Sequence, residues 1–254
     1  SEVVRCFDFD AKLGALGKEQ EIRLRAVAER GIPAGLALTS DAQHLYVANV
    51  LGQRVAKVDL NAKSNVLDIV VGGDQGKREK EKGKSFSPAP QTEDEAAITK
   101  RAEAALDPAD PTAPYPYACR LDEKKGRLYV SLWAQAQVAV IDLKSNQVIA
   151  RWATEEHPNE MLLTKTGKLL YVANAHRNTV TVIDTDSGET TETIWAALYP
   201  QSPPGATPNS LALTPDEKLL FVANANINTL AVVDVGTRGK SRSLGFIPTG
   251  WYPT

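Results

Sequence analysis

Short apolar runs alternate with polar, turn-forming clusters along most of this 254-residue chain. The same alternation returns four times: LYVANVLGQRVAKVDL (45–60), LYVSLWAQAQVAVIDL (128–143), LYVANAHRNTVTVIDT (170–185) and LFVANANINTLAVVDV (220–235). Repetition at about 40–50 residues marks a stack of like supersecondary units. Each apolar run is about five to seven residues long, which suits strands and is too short for packed helices.

The third copy, His157 to Trp195, shows the unit best. Turn signals fall at Thr166-Gly167, from Asn174 to Asn178 and at Asp186-Ser187-Gly188. Between them Tyr171, Val172, Val180, Val182 and Ile183 supply the β-branched and aromatic side chains that fill pleated, buried faces. Four short strands running up and down form one blade of a β-propeller. The fold class is therefore all-β, a propeller of four-stranded antiparallel blades.

Complete blades are expected at 31–72, 112–154, 155–197 and 205–249. Each opens on an X-Pro-X element: Ile32-Pro33-Ala34, Tyr115-Pro116-Tyr117, His157-Pro158-Asn159 and Thr207-Pro208-Asn209. Proline suits a first strand residue, where its missing N–H breaks no ladder. Each third strand ends on an aspartate (Asp59, Asp142, Asp184, Asp234), read as a turn-maker that bonds the following backbone. The asparagines of the YVAN copies, Asn49, Asn174 and Asn224, are read likewise as hairpin chemistry. Residues 3–24 read as the last two strands of a further blade, and Tyr252-Pro253-Thr254 as the opening of another. The expectation is one propeller region over 1–254, incomplete at both ends, cut from a parent of six or seven blades.

Bulk properties narrow the function. A formal charge of −2 gives no electrostatic case for nucleic acid or an anionic membrane. No apolar run approaches the ~20 residues that span a bilayer. Cys6 and Cys119 are too few for a disulfide framework or thiolate metal site, and they fall in different repeats.

The LYVAN…VxVID pattern with its X-Pro-X opening resembles the YVTN-type β-propeller repeat family over about two thirds of the chain. HPNEMLL (157–163), ALYPQSPPGATPNSLALTPD (197–216) and LGFIPTGWYPT (244–254) look like the propeller preceding a metal-dependent phosphoesterase domain of the alkaline phosphatase superfamily. That resemblance implies a bacterial, exported, two-part protein, periplasmic or extracellular, whose catalytic ligands belong to the downstream domain. No residue here matches them.

Strand direction sorts the loops. Blade openings and second-to-third-strand hairpins share one face, the upper face, where binding residues on a rigid scaffold concentrate. The ligand-binding candidates at the upper funnel are Tyr115, Tyr117, Trp133, His157, Asn159, His176, Arg177, Asn209 and Trp251. Two insertions enlarge that face. Residues 73–111 start with a charged, glycine-punctuated run and continue as a short helix with Thr92 as N-cap, Glu95 three residues on and Pro108 beyond its end. The second, Leu198 to Ala206, is proline-rich.

Catalytic motifs are few. The histidines are His44, His157 and His176, without the His or carboxylate spacing of a metal site; no metal and no cofactor is expected. No nucleophile elbow or phosphate-cradling loop is visible. The reading is a non-catalytic binding or scaffold module, contacting an attached phosphoesterase domain, a small ligand or a protein. The alternatives are lactonase-like hydrolysis in the funnel and a stand-alone extracellular interaction module.

Overall fold

The computed structural model describes residues 3–25, 31–72, 113–200 and 202–254; the expected helix and the rest of the 73–111 insertion lie outside them. The chain divides into two compact units, Ser1–Pro116 and Tyr117–Thr254.

In the first unit, β1 (Val3–Asp10) and β2 (Ala15–Arg23) form an antiparallel hairpin. A four-stranded sheet follows, in the order β3 (Pro33–Leu38), β4 (His44–Asn49), β5 (Arg54–Asp59) and β6 (Ser64–Val70). Val4, Ile22 and Leu24 of the hairpin bury themselves against Leu45, Val47, Ala56 and Val58 of that sheet. The buried guanidinium of Arg25 pairs with Asp68 at 2.8 Å across the same seam.

The second unit holds three blades of identical order. They are β7 (Pro116–Asp122) to β10 (Gln147–Ala153), β11 (Pro158–Leu163) to β14 (Thr190–Trp195), and β15 (Pro208–Leu213) to β18 (Arg242–Pro248). The intervening strands are β8 (Arg127–Leu132), β9 (Gln137–Asp142), β12 (Leu169–Asn174), β13 (Thr179–Asp184), β16 (Leu219–Asn224) and β17 (Thr229–Asp234). The chain is thus nearly all-β in four-stranded antiparallel sheets, as the repeat predicts.

Alternation supplies two apolar faces per blade, and in the second unit neighbouring blades pack through them. Tyr129, Val138, Val140 and Trp152 of the β7–β10 blade meet Met161, Leu170, Val172 and Ile183. On the far face, Tyr171, Val180, Val182 and Ile194 meet Leu220, Val222, Ala231 and Val233. The outermost strand of every four-stranded sheet carries a register shift, at Lys57/Val58, Val148/Ala150, Val182/Ile183 and Val232/Val233. Bulges of this kind twist an exposed edge away from pairing with another chain.

The strand-ending aspartates do turn work. Asp59 accepts from the backbone N–H of Asn61 and Ala62, Asp142 from Ser145, Asp184 from Asp186 and Ser187, and Asp234 from Gly236. The Ser187 N–H is the largest influence holding the Asp184 carboxyl down at about 2, with the Arg238 guanidinium adding to it. Because the folded-state value lies below the unfolded 3.8, this contribution is complete above that pH. It disappears as pH falls through about 2. Asp184→Asn is therefore expected to lower stability at neutral pH and flatten the acid limb between pH 3.8 and about 2, read by fluorescence-monitored unfolding across pH.

Candidate functional site

Inter-blade connections and hairpins share one end of the second unit because they bond to each other. Thr154 N–H donates to Ala136 O, Ala175 to His157, Ala196 to Asn178, Ala225 to Thr207 and Thr249 to Asn228, at 2.9–3.0 Å. The residue before proline in each of the last four openings has positive φ: Tyr115 (42°), His157 (56°), Thr207 (57°) and Tyr252 (50°). Such backbone is unfavourable for an L-residue and worse before proline. For His157 and Thr207, the carbonyl of that residue accepts a hairpin N–H.

At His157 the turn places the imidazole flat on the Trp133 indole, with centroids 3.7 Å apart and planes 12° from parallel. The His176 ring lies tilted against His157, with centroids 4.9 Å apart. Burial, followed by the His176 charge, pulls the His157 pKa below its ordinary value against the opposing pull of Glu156, so the ring is neutral at neutral pH. Glu156 is engaged by Arg177 at 2.5 Å and lies 3.9 Å from His176 Nε2. Of the expected site residues, Trp133, His157, His176 and Arg177 thus form one cluster.

The others go elsewhere. Asn159 is buried and its amide donates to Pro208 O and Asn209 Oδ1, both at 3.2 Å, so the two asparagines tie β11 to β15. Tyr117 is exposed on β7, and Trp251 stands 92% exposed past β18. Tyr115 belongs to the first unit.

Next to the histidine cluster lies an open cleft of about 620 Å³, within the range of small-molecule sites. Its lining includes Glu155, Glu156, Arg177, Thr179, Thr193 and Trp195. A chain of hydrogen bonds sets Glu155. The buried Asn174 amide donates to Thr179 Oγ1 (3.1 Å), which donates to Glu155 Oε2 (2.7 Å). Trp195 is held by its Nε1–H on Tyr199 O at 3.0 Å.

The far wall, Ser202 and Pro204, is clasped by Asn178. That buried side chain donates to Pro203 O (2.8 Å) and accepts from the N–H of Gly205 (3.0 Å) and Ala206 (2.8 Å). Among the described residues no three His, Cys, Asp or Glu side chains converge as metal ligands would. Nor is any helix there long and apolar enough to cross a membrane.

Sequence reasoning missed Glu155, Thr193, Trp195 and the clasp at Asn178. One signal was available in the repeat. Trp195 pairs with Thr179 in the register position filled by Val70 opposite Arg54, Ala153 opposite Gln137 and Pro248 opposite Thr229. A tryptophan there is a departure that core packing does not demand.

Blades of this order and packing define a β-propeller. The solved structures it resembles include the periplasmic gluconolactonase PpgL of Pseudomonas aeruginosa (16% identity, TM-score 0.67, 99% of this chain and 65% of that one). A putative 6-phosphogluconolactonase of Bacteroides fragilis is similar (15%, 0.63, 98% and 65%), as is the hydrazine synthase of Kuenenia stuttgartiensis (15%, 0.55, 99% and 82%). The chain spans about two thirds of the length of both lactonase propellers. At these identities the likeness is one of fold. No protein-family model and no curated protein sequence matches the chain.

Proposed function

We propose that this chain is a non-catalytic YVTN-type propeller module that binds a small polar ligand in the rim cleft beside Trp195. The observation that carries the reading is how the charged groups there are used. Glu156 is committed to Arg177, Glu155 is oriented by Thr179, and the His157 ring is in ring contact with both Trp133 and His176. With Glu156 and His157 engaged in this way and Glu155 held in one direction, the cleft is a shaped, partly aromatic surface, which suits binding better than proton transfer. In the parent protein the module supports an attached phosphoesterase domain in an exported, periplasmic or extracellular setting, a reading supported by the repeat resemblance.

Lactone hydrolysis is the second reading, favoured by the fold of the two lactonase propellers. One experiment separates them. The protein is titrated calorimetrically with agmatine, glucose, gluconate and inorganic phosphate, and assayed for hydrolysis of glucono-1,5-lactone. Saturable binding of at least one compound, lost in Trp195→Ala, with lactone hydrolysis no faster than the spontaneous rate, is the expected result. Hydrolysis clearly above that rate, or no binding by any compound, overturns the proposal.

A further inference from the structure

Building on that binding reading, we infer that the rim cleft recognises an organic cation, an ammonium or guanidinium group, held between the Trp195 indole and the Glu155 carboxylate. Charge balance and the aromatic lining of the cleft point to such a group. Four of the cleft's hydroxyl and indole donors are engaged within the protein. Thr154 Oγ1 donates to Glu155 O, Thr179 Oγ1 to Glu155 Oε2, Ser202 Oγ to Tyr199 O and Trp195 Nε1 to Tyr199 O. One guanidinium nitrogen of Arg177 is on Glu156.

Acceptors remain. Glu155 Oε1 takes no hydrogen bond from the described residues, and Arg177 neutralises one of the two carboxylates in the lining. A lining with two carboxylates against one guanidinium, an open carboxylate oxygen and an indole favours a cationic ligand that donates hydrogen bonds. Ammonium and guanidinium groups are that ligand. Trp195 adds an electron-rich face that attracts such a cation, most strongly among the aromatic side chains. Its indole is fixed in direction by the Tyr199 carbonyl, so little side-chain entropy is lost on binding. An anion such as a phosphate or sugar acid faces the opposite charge balance.

The source of the cation, a free amine or an arginine side chain on a polypeptide, is separated by two probes: agmatine and N-acetyl-arginine-amide. Calorimetric titration of the whole chain at neutral pH is expected to show saturable agmatine binding that weakens as salt is raised. Glu155→Gln keeps an acceptor for Thr179 and removes the charge; Trp195→Ala removes the face. Each is expected to weaken binding about tenfold or more, with the thermal midpoint unchanged as a folding control. N-acetyl-arginine-amide binding as tightly as agmatine identifies a polypeptide source, and selective agmatine binding identifies a free amine.

Two results overturn the inference. One is Trp195-dependent binding of glucose or gluconate with agmatine silent, which leaves the binding module standing and changes its ligand class. The other is agmatine affinity unchanged in Glu155→Gln. Silence of every probe removes the module reading itself.

Discussion

Asn178→Ala is expected to lower the stability of the Tyr117–Thr254 unit by about 3 kcal/mol. Asn178 is buried, and its amide satisfies the Gly205 and Ala206 N–H groups and the Ser202 and Pro203 carbonyls. Alanine leaves those groups without partners; the N–H of buried Ala206 suffers most because water replaces the amide poorly there. The residue also sits at φ 58°, where asparagine is tolerated and alanine is strained by roughly 1 kcal/mol. Asn178→Asp keeps the acceptor and loses the donor, and an intermediate loss is expected. Urea unfolding measures both. A loss for the alanine variant within about 0.5 kcal/mol of zero would place it among ordinary surface substitutions and remove the clasp from the account.

Gly188→Val is expected to cost more, about 4 kcal/mol or above, and to prevent folding of the unit at elevated temperature. Gly188 follows the Asp184 turn at φ 77°, and a Cβ there would stand 2.2 Å from Trp152 Nε1. Trp152 cannot swing away cheaply, because it is packed with Tyr129, Val138 and Met161 between two blades. Gly239 makes the matched control: its φ is 69°, yet the nearest atom to its added Cβ is Thr191 O at 4.0 Å. Gly239→Val is expected to cost only the backbone preference, about 2 kcal/mol. The difference between the two positions measures the Trp152 packing, and equal losses would show that the collision is relieved.

These two positions also mark what was readable from the chain before its structure. Blade order, strand lengths and the aspartate turns follow from alternation and turn chemistry, which repeat and so announce themselves four times. The upper face followed too, since strand direction decides where the hairpin holding His176 and Arg177 meets the opening holding His157. The choice of residues on that face was harder. Asn159 and Asn209 occupy blade openings, but their backbones lie so close that the amides bond across β11 and β15 instead of facing out. Glu155 and Trp195 were overlooked because they sit at the end of outer strands and between blades, where attention to openings and hairpins does not reach. Comparing register positions across blades finds Trp195. Nothing in one dimension finds the Asn174–Thr179–Glu155 relay, which needs a buried amide at the right depth.

The rim cleft is the proposed place of ligand binding. The four tryptophans, Trp133, Trp152, Trp195 and Trp251, each carry one indole N–H that can be followed by NMR in the ¹⁵N-labelled protein and assigned by substitution. On addition of agmatine, the Trp195 signal is expected to move in a saturable way while those of buried Trp152 and distant-in-sequence Trp251 stay fixed. Movement of the Trp133 signal with Trp195 unmoved would contradict the account and put the ligand on the His157 stack.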